Sequence, residues 1–179
     1  CLDNSFLPLF ILLAEIVRKI TGKPIDEFAE ERIFTPLDMT ETSFRPAKTL
    51  LPRIAPTERL TNGVLLHGIV HDPTTRFMGG VSGHAGLFST ADDLGRFAQM
   101  MLDGGQFGGK RVLSPLSIST MTSSQSPYMH PVRRGLGWDI DSPYSSTRGD
   151  LFPIGSFGHT GYTGTSMWID PLTQTYIIL

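Results

Sequence analysis

Gly158-His159-Thr160-Gly161 is the stretch on which the reading of this chain turns. It lies between Phe157 and Thr165-Ser166-Met167-Trp168-Ile169, where aromatic and β-branched residues predict strands. A glycine on either side of a polar pair lets another chain or a ligand approach the strand closely, because no Cβ stands in the way. His159 brings a protonatable imidazole and Thr160 a hydroxyl, and side by side on a strand they read as the wall of an active site. A second reading stays open: a histidine between glycines also serves to close a hydrogen-bond network.

Downstream, Gly164 and Asp170-Pro171-Leu172-Thr173 are turn signals. They predict consecutive antiparallel strands over about 156–161, 165–169 and 174–179. Upstream, Gly135-Leu136-Gly137-Trp138-Asp139-Ile140 is strand-like. Ahead of it the pattern turns helical. Ser114-Pro115 reads as a helix cap followed by proline in the first turn. Thr90 with Asp93 has capping-box spacing, and Leu94, Phe97, Ala98 and Met101 make the apolar face of a helix that Gly104 ends. Near the start, Leu9, Leu12, Leu13, Ile16 and Ile20 predict the buried face of a helix over 9–21, stopped by Gly22. Pro24 opens a second helix over 25–34, which Pro36 ends. Helices first and an antiparallel meander last make an α+β chain, an antiparallel sheet flanked by helices.

The 179 residues suffice for one domain or most of one, and 40% hydrophobic content suits a globular core. A net charge of −2, spread without runs, gives no electrostatic case for nucleic acid. The apolar run at 6–13 is short, and Glu15, Arg18 and Lys19 interrupt it, so no membrane segment is expected in this chain. Cys1 is the single cysteine and allows no internal disulfide. A start on Cys1 and an apolar last stretch, Thr175-Tyr176-Ile177-Ile178-Leu179, suggest a fragment, with a processed N-terminus as the alternative.

Several segments resemble, in order, the serine β-lactamase and penicillin-binding family. Ala14-Glu15-Ile16-Val17, Thr21-Gly22-Lys23-Pro24 and Ile33-Phe34-Thr35-Pro36-Leu37-Asp38-Met39 are similar to the stretch that follows the family's second active-site motif. Gly86-Leu87-Phe88-Ser89-Thr90-Ala91-Asp92-Asp93-Leu94 is similar to its approach to the next long helix. Gly158-His159-Thr160-Gly161 is similar to its third motif, Lys-Thr-Gly, in the histidine form closest to class C-like β-lactamases, esterases and D-Ala-D-Ala peptidase relatives. The resemblance covers nearly the whole chain from about Phe10 onward. It implies that residues 1–179 are the C-terminal portion of a single β-lactamase/transpeptidase-like domain, incomplete without its nucleophile-bearing part. It further implies acyl transfer to a serine from a small-molecule or peptide-like substrate and a periplasmic or secreted location. By the same resemblance the backbone N–H of Tyr162 completes an oxyanion hole, His159 acts at the site, and Thr160 and Gly161 line it. No cofactor is expected.

The departures from that family are specific. None of Lys19, Lys23, Lys48 and Lys110 has a serine three residues before it, so Ser-x-x-Lys is absent, and so is Tyr-x-Asn. Cys1-Leu2-Asp3-Asn4, roughly where the second motif belongs, fits it poorly and receives no role. The chain alone is therefore expected to be inactive. A non-catalytic binding or scaffolding domain derived from the same fold is the alternative, and a hydrolase pairing His159 with Ser82 or Ser156 is a weaker third reading. His67, His71 and Asp72 have a spacing that would suit a metal on a helix, but Gly63, Gly68 and Pro73 argue for a loop, so no metal is expected. His84, in the segment Gly79-Gly80-Val81-Ser82-Gly83-His84-Ala85-Gly86, is read as fixing that turn. Trp138 and Trp168 are read as core or cleft wall.

Overall fold

The computed structural model describes residues 7–143 and 145–179; Cys1-Leu2-Asp3-Asn4 lies outside them. Contacts divide the chain into two units, Cys1–Thr90 and Ala91–Leu179. No described helix is long and apolar enough to cross a membrane.

The first unit opens with α1 (Leu7–Thr21) and α2 (Ile25–Ala29), the latter continuing into a π-helical turn, Glu30–Phe34. Gly22 stops α1, its N–H donating to Arg18 O at 2.9 Å. The periodicity locates α1 correctly, but the expected burial of its face is overturned: Leu9, Leu12, Leu13, Ile16 and Ile20 are all exposed, because the described residues place nothing over that stripe. Leu37, Met39, Phe34 and Ala29 form the buried side instead. A 3-10 helix, Lys48–Arg53, and the hairpin of β1 (Glu58–Arg59) and β2 (Leu65–Leu66) follow. His67 and His71 sit in the loop, as expected, with the His67 ring against Ile54 O. Asp72 is the N-cap of α3 (Pro73–Phe77), its carboxylate accepting from Thr75 N–H at 2.6 Å.

The second unit contains α4 (Ala91–Leu102), a small hairpin of β3 (Gln106–Phe107) and β4 (Lys110–Arg111), α5 (Pro115–Thr122) and a five-stranded antiparallel sheet. Ser114 caps α5 by accepting from Ser117 N–H at 3.0 Å, as the Ser-Pro pair predicts. The sheet runs β5 (Arg133–Arg134), β6 (Asp139–Asp141), β7 (Phe157–Thr160), β8 (Ser166–Asp170) and β9 (Thr175–Ile178) in sequence order. The predicted meander is thus present. The strand-like reading of 135–140 changes: Gly135 N–H donates to Trp138 O and Gly137 takes a φ of +79°, so a tight turn there separates β5 from β6. On one face of the sheet Phe97 of α4 stacks on Trp138, which meets Phe157 edge-on at 5.1 Å. Both tryptophans are buried. The β8–β9 turn is held by Asp170, which accepts from Leu172 N–H and from the N–H and hydroxyl of Thr173.

Candidate active site

The candidate strand, β7, lies between β6 and β8, with His159 opposite Met167 and Thr160 opposite Ser166. Alternation along the strand puts His159 on the face it shares with Phe157 and Ile169, and Thr160 on the other. Both side chains are half-buried at the end of the strand, where buried Phe157 and Gly158 give way to exposed Gly161. Tyr162 follows on the exposed turn, 74% accessible. Gly161 N–H donates to Thr165 O at 2.7 Å and closes that turn.

The imidazole of His159 is engaged at both nitrogens. Nδ1 lies 2.8 Å from Thr160 O, and Nε2 lies 3.3 Å from Nη2 of Arg134. A carbonyl only accepts and a guanidinium only donates, so Nδ1 carries a proton and Nε2 offers its lone pair. The structure therefore joins a strand residue to an arginine two strands away, at the β5–β6 bulge between Arg133 and Arg134. Sequence reasoning missed Arg134. A pair of arginines immediately before Gly135-Leu136-Gly137-Trp138 is the only local signal, and nothing in it points to His159.

The glycines of the motif prove to serve packing within the chain. A Cβ built on Gly158 would lie 2.5 Å from Cδ2 and 2.6 Å from Cε3 of Trp168, and closer still to Met167 O. One on Gly161 would strike the hydroxyl of Thr165. Close approach was the right expectation, but the visitor at Gly158 is the indole of the neighbouring strand. Ser82 and Ser156, the two candidate nucleophiles within this chain, are both buried. Ser82 faces His84, its Oγ lying 2.8 Å from Nδ1. Among the described residues no three His, Cys, Asp or Glu side chains come together as metal ligands.

Comparison with known proteins gives a consistent result. Residues 8–179 match the Beta-lactamase family. The protein of Escherichia coli (strain K12) named "Putative D-alanyl-D-alanine carboxypeptidase" is 36% identical over 189 residues, which take in 95% of this chain and 42% of the relative. The chain thus spans less than half of that relative's length. Among solved structures, unliganded simvastatin synthase (LovD) from Aspergillus terreus superposes with a TM-score of 0.68 at 18% identity, over 92% of this chain and 46% of that one. A family VIII carboxylesterase gives 0.67 at 17% identity, over 92% and 48%. At these identities the two structures bear on the fold alone.

Proposed function

The chain belongs to the β-lactamase family, and from that membership we propose that it is the C-terminal portion of a single β-lactamase-like domain that performs acyl transfer on an amide, an ester or a β-lactam. The fold is that of the family's serine hydrolases. The observation that carries the reading is the half-buried His159-Thr160 pair at the exposed end of β7, backed by Arg134.

In this reading a serine hydroxyl supplied from outside residues 1–179 attacks the substrate carbonyl and gives its proton to a neighbouring lysine. The negative oxygen of the tetrahedral intermediate takes a hydrogen bond from Tyr162 N–H, a donor worth about 3–4 kcal/mol in such sites. The backbone of Thr160 and Gly161 forms the rail along which the acyl group lies. His159 orients substrate or passes a proton, and for either task Arg134 must release Nε2. An anionic group on the substrate would draw the guanidinium away and do so. A second reading is a binding or scaffolding domain that keeps the fold without the chemistry.

The two readings separate on one experiment. The chain is produced alone and joined to the remainder of the E. coli relative, and each is exposed to a fluorescent penicillin and a fluorophosphonate. The acyl-transfer reading expects no labelling of the chain alone and labelling of one serine, from the added part, in the joined protein. A folded joined protein that neither probe labels leaves the binding domain as the function.

A further inference from the structure

The glycine-rich segment 79–86 carries two polar side chains, Ser82 and His84, that join Asp72 ahead of it in one hydrogen-bonded chain. Ser82 Oγ lies 2.8 Å from His84 Nδ1, and His84 Nε2 lies 3.0 Å from Asp72 Oδ1. The His84 side chain is 3% accessible and that of Asp72 16%. The hydroxyl of Thr75, itself fully buried, is 3.3 Å from the same Nε2. A carboxylate only accepts, so Nε2 carries a proton toward Asp72, while Nδ1 pairs with the Ser82 hydroxyl. Every polar atom of the ring is used.

Asp72 serves two elements at once. Oδ1 caps α3 through Thr75 N–H while it holds His84. Burial pushes its carboxyl up, yet the bonds from Thr75 and His84 outweigh this and hold it below the usual carboxylate value. The network thereby ties the segment's far end to the start of α3. Between its anchors the backbone of Gly83 presses on α1: a Cβ there would overlap Phe10 O and lie 3.0 Å from the Cβ of Ala14. Phe10, Ala14, Ile25, Phe44, Ser82 and Gly83 surround a hollow of about 170 Å³ at this junction.

We propose that Asp72, His84 and Ser82 are positioning residues: they brace the segment 82–86 against the first turns of α1, and so hold in place the helix that, by the resemblance above, follows the family's second active-site motif. The proposal rests on the acyl-transfer reading above. None of the three touches substrate. Ser82 is too deeply buried for attack, so its hydroxyl acts as a tie and not as a nucleophile.

The test has two arms. In the chain itself, amide hydrogen exchange reads the brace directly. His84→Ala should speed exchange at the amides around Ala14 by about tenfold and leave β7 and β8 unchanged, because opening is local. Ser82→Ala, which removes one hydroxyl and no packing, should speed the same amides by less. In the joined protein, His84→Ala should lower kcat by about 10–100-fold with KM unchanged, the cost of a small misplacement. His84→Gln, whose amide nitrogen can replace Nε2 toward Asp72, should recover much of that loss, which a role in bulk packing would not produce. Unchanged exchange near Ala14 in His84→Ala, or an unchanged kcat, overturns the proposal. A joined protein that is inactive with His84 intact sinks the acyl-transfer reading instead, and the exchange arm alone then decides whether the brace exists.

Discussion

Gly158→Ala puts a methyl group where the indole of Trp168 already lies. The new carbon would sit 2.5–2.6 Å from two ring carbons and press on Met167 O. Contacts that short must be relieved. The carbonyl belongs to the β7–β8 ladder, in which Gly158 stands opposite Trp168, so it cannot withdraw without loosening the strands. The ring is 2% exposed and its Nε1 donates to Thr147 Oγ1 at 2.8 Å, so it swings away only by giving up that bond. Overpacking costs about 1–3 kcal/mol and the lost hydrogen bond about 1 more, so about 2–4 kcal/mol is expected in all. Both tryptophans of the chain lie in the unit Ala91–Leu179, so intrinsic fluorescence during urea unfolding reads this unit. The midpoint should fall by about 1–2 M. In a Trp168→Leu background the added methyl finds room, and its cost should shrink by about 1–2 kcal/mol. A midpoint unchanged in Gly158→Ala, or the same cost with and without the indole, would refute the reasoning and return Gly158 to the role of admitting a ligand.

Three further outcomes follow from the same geometry. His159→Ala in the joined protein should lower kcat/KM by about 10²–10⁴-fold with little change in unfolding midpoint, and an unchanged kcat/KM would make His159 structural. Burial pushes the Asp170 carboxyl up, but bonds from Thr173 and Leu172 prevail and hold it below its ordinary 3.8. The unfolded chain then takes up that proton before the folded one, so this stabilisation is present above about pH 4 and fades as pH falls through the folded value. Asp170→Asn should flatten that acid limb in fluorescence-monitored unfolding, and an identical acid limb would contradict the assignment. The chain alone should self-associate at micromolar concentration, since α1 shows an apolar stripe and the edge strand β9 exposes Ile177 beside Leu179. Light scattering that finds a monodisperse monomer would count against it.

Much of the fold was legible because its signals are local. The 3.6-residue period gave α1, the Ser114-Pro115 pair gave the start of α5, and turn residues around Gly164 and Asp170 gave the β7–β8–β9 meander. The order of modest motifs was enough to point to the family. Local signals also misled. The apolar stripe of α1 predicts burial, yet periodicity says only which residues share a face, and whether anything covers that face depends on what packs there. The glycines at 135 and 137 sit in a run that alternates like a strand, but the positive φ at Gly137 makes a turn of it.

The sequence by itself determined the α+β class, the antiparallel meander and the place of His159 and Thr160 on one strand, because period, capping and turn chemistry act over a few residues. Only the tertiary structure decided what those side chains meet. His159 reaches Arg134, 25 residues away, through a bulge between β5 and β6; Trp168 fills the space above Gly158; and Asp72 finds His84, 12 residues on, past α3 and the glycine-rich turn. Each of these contacts depends on strand register or loop closure. A one-residue slip would turn every side chain to the opposite face, and no short-range pattern records which register the finished sheet adopts.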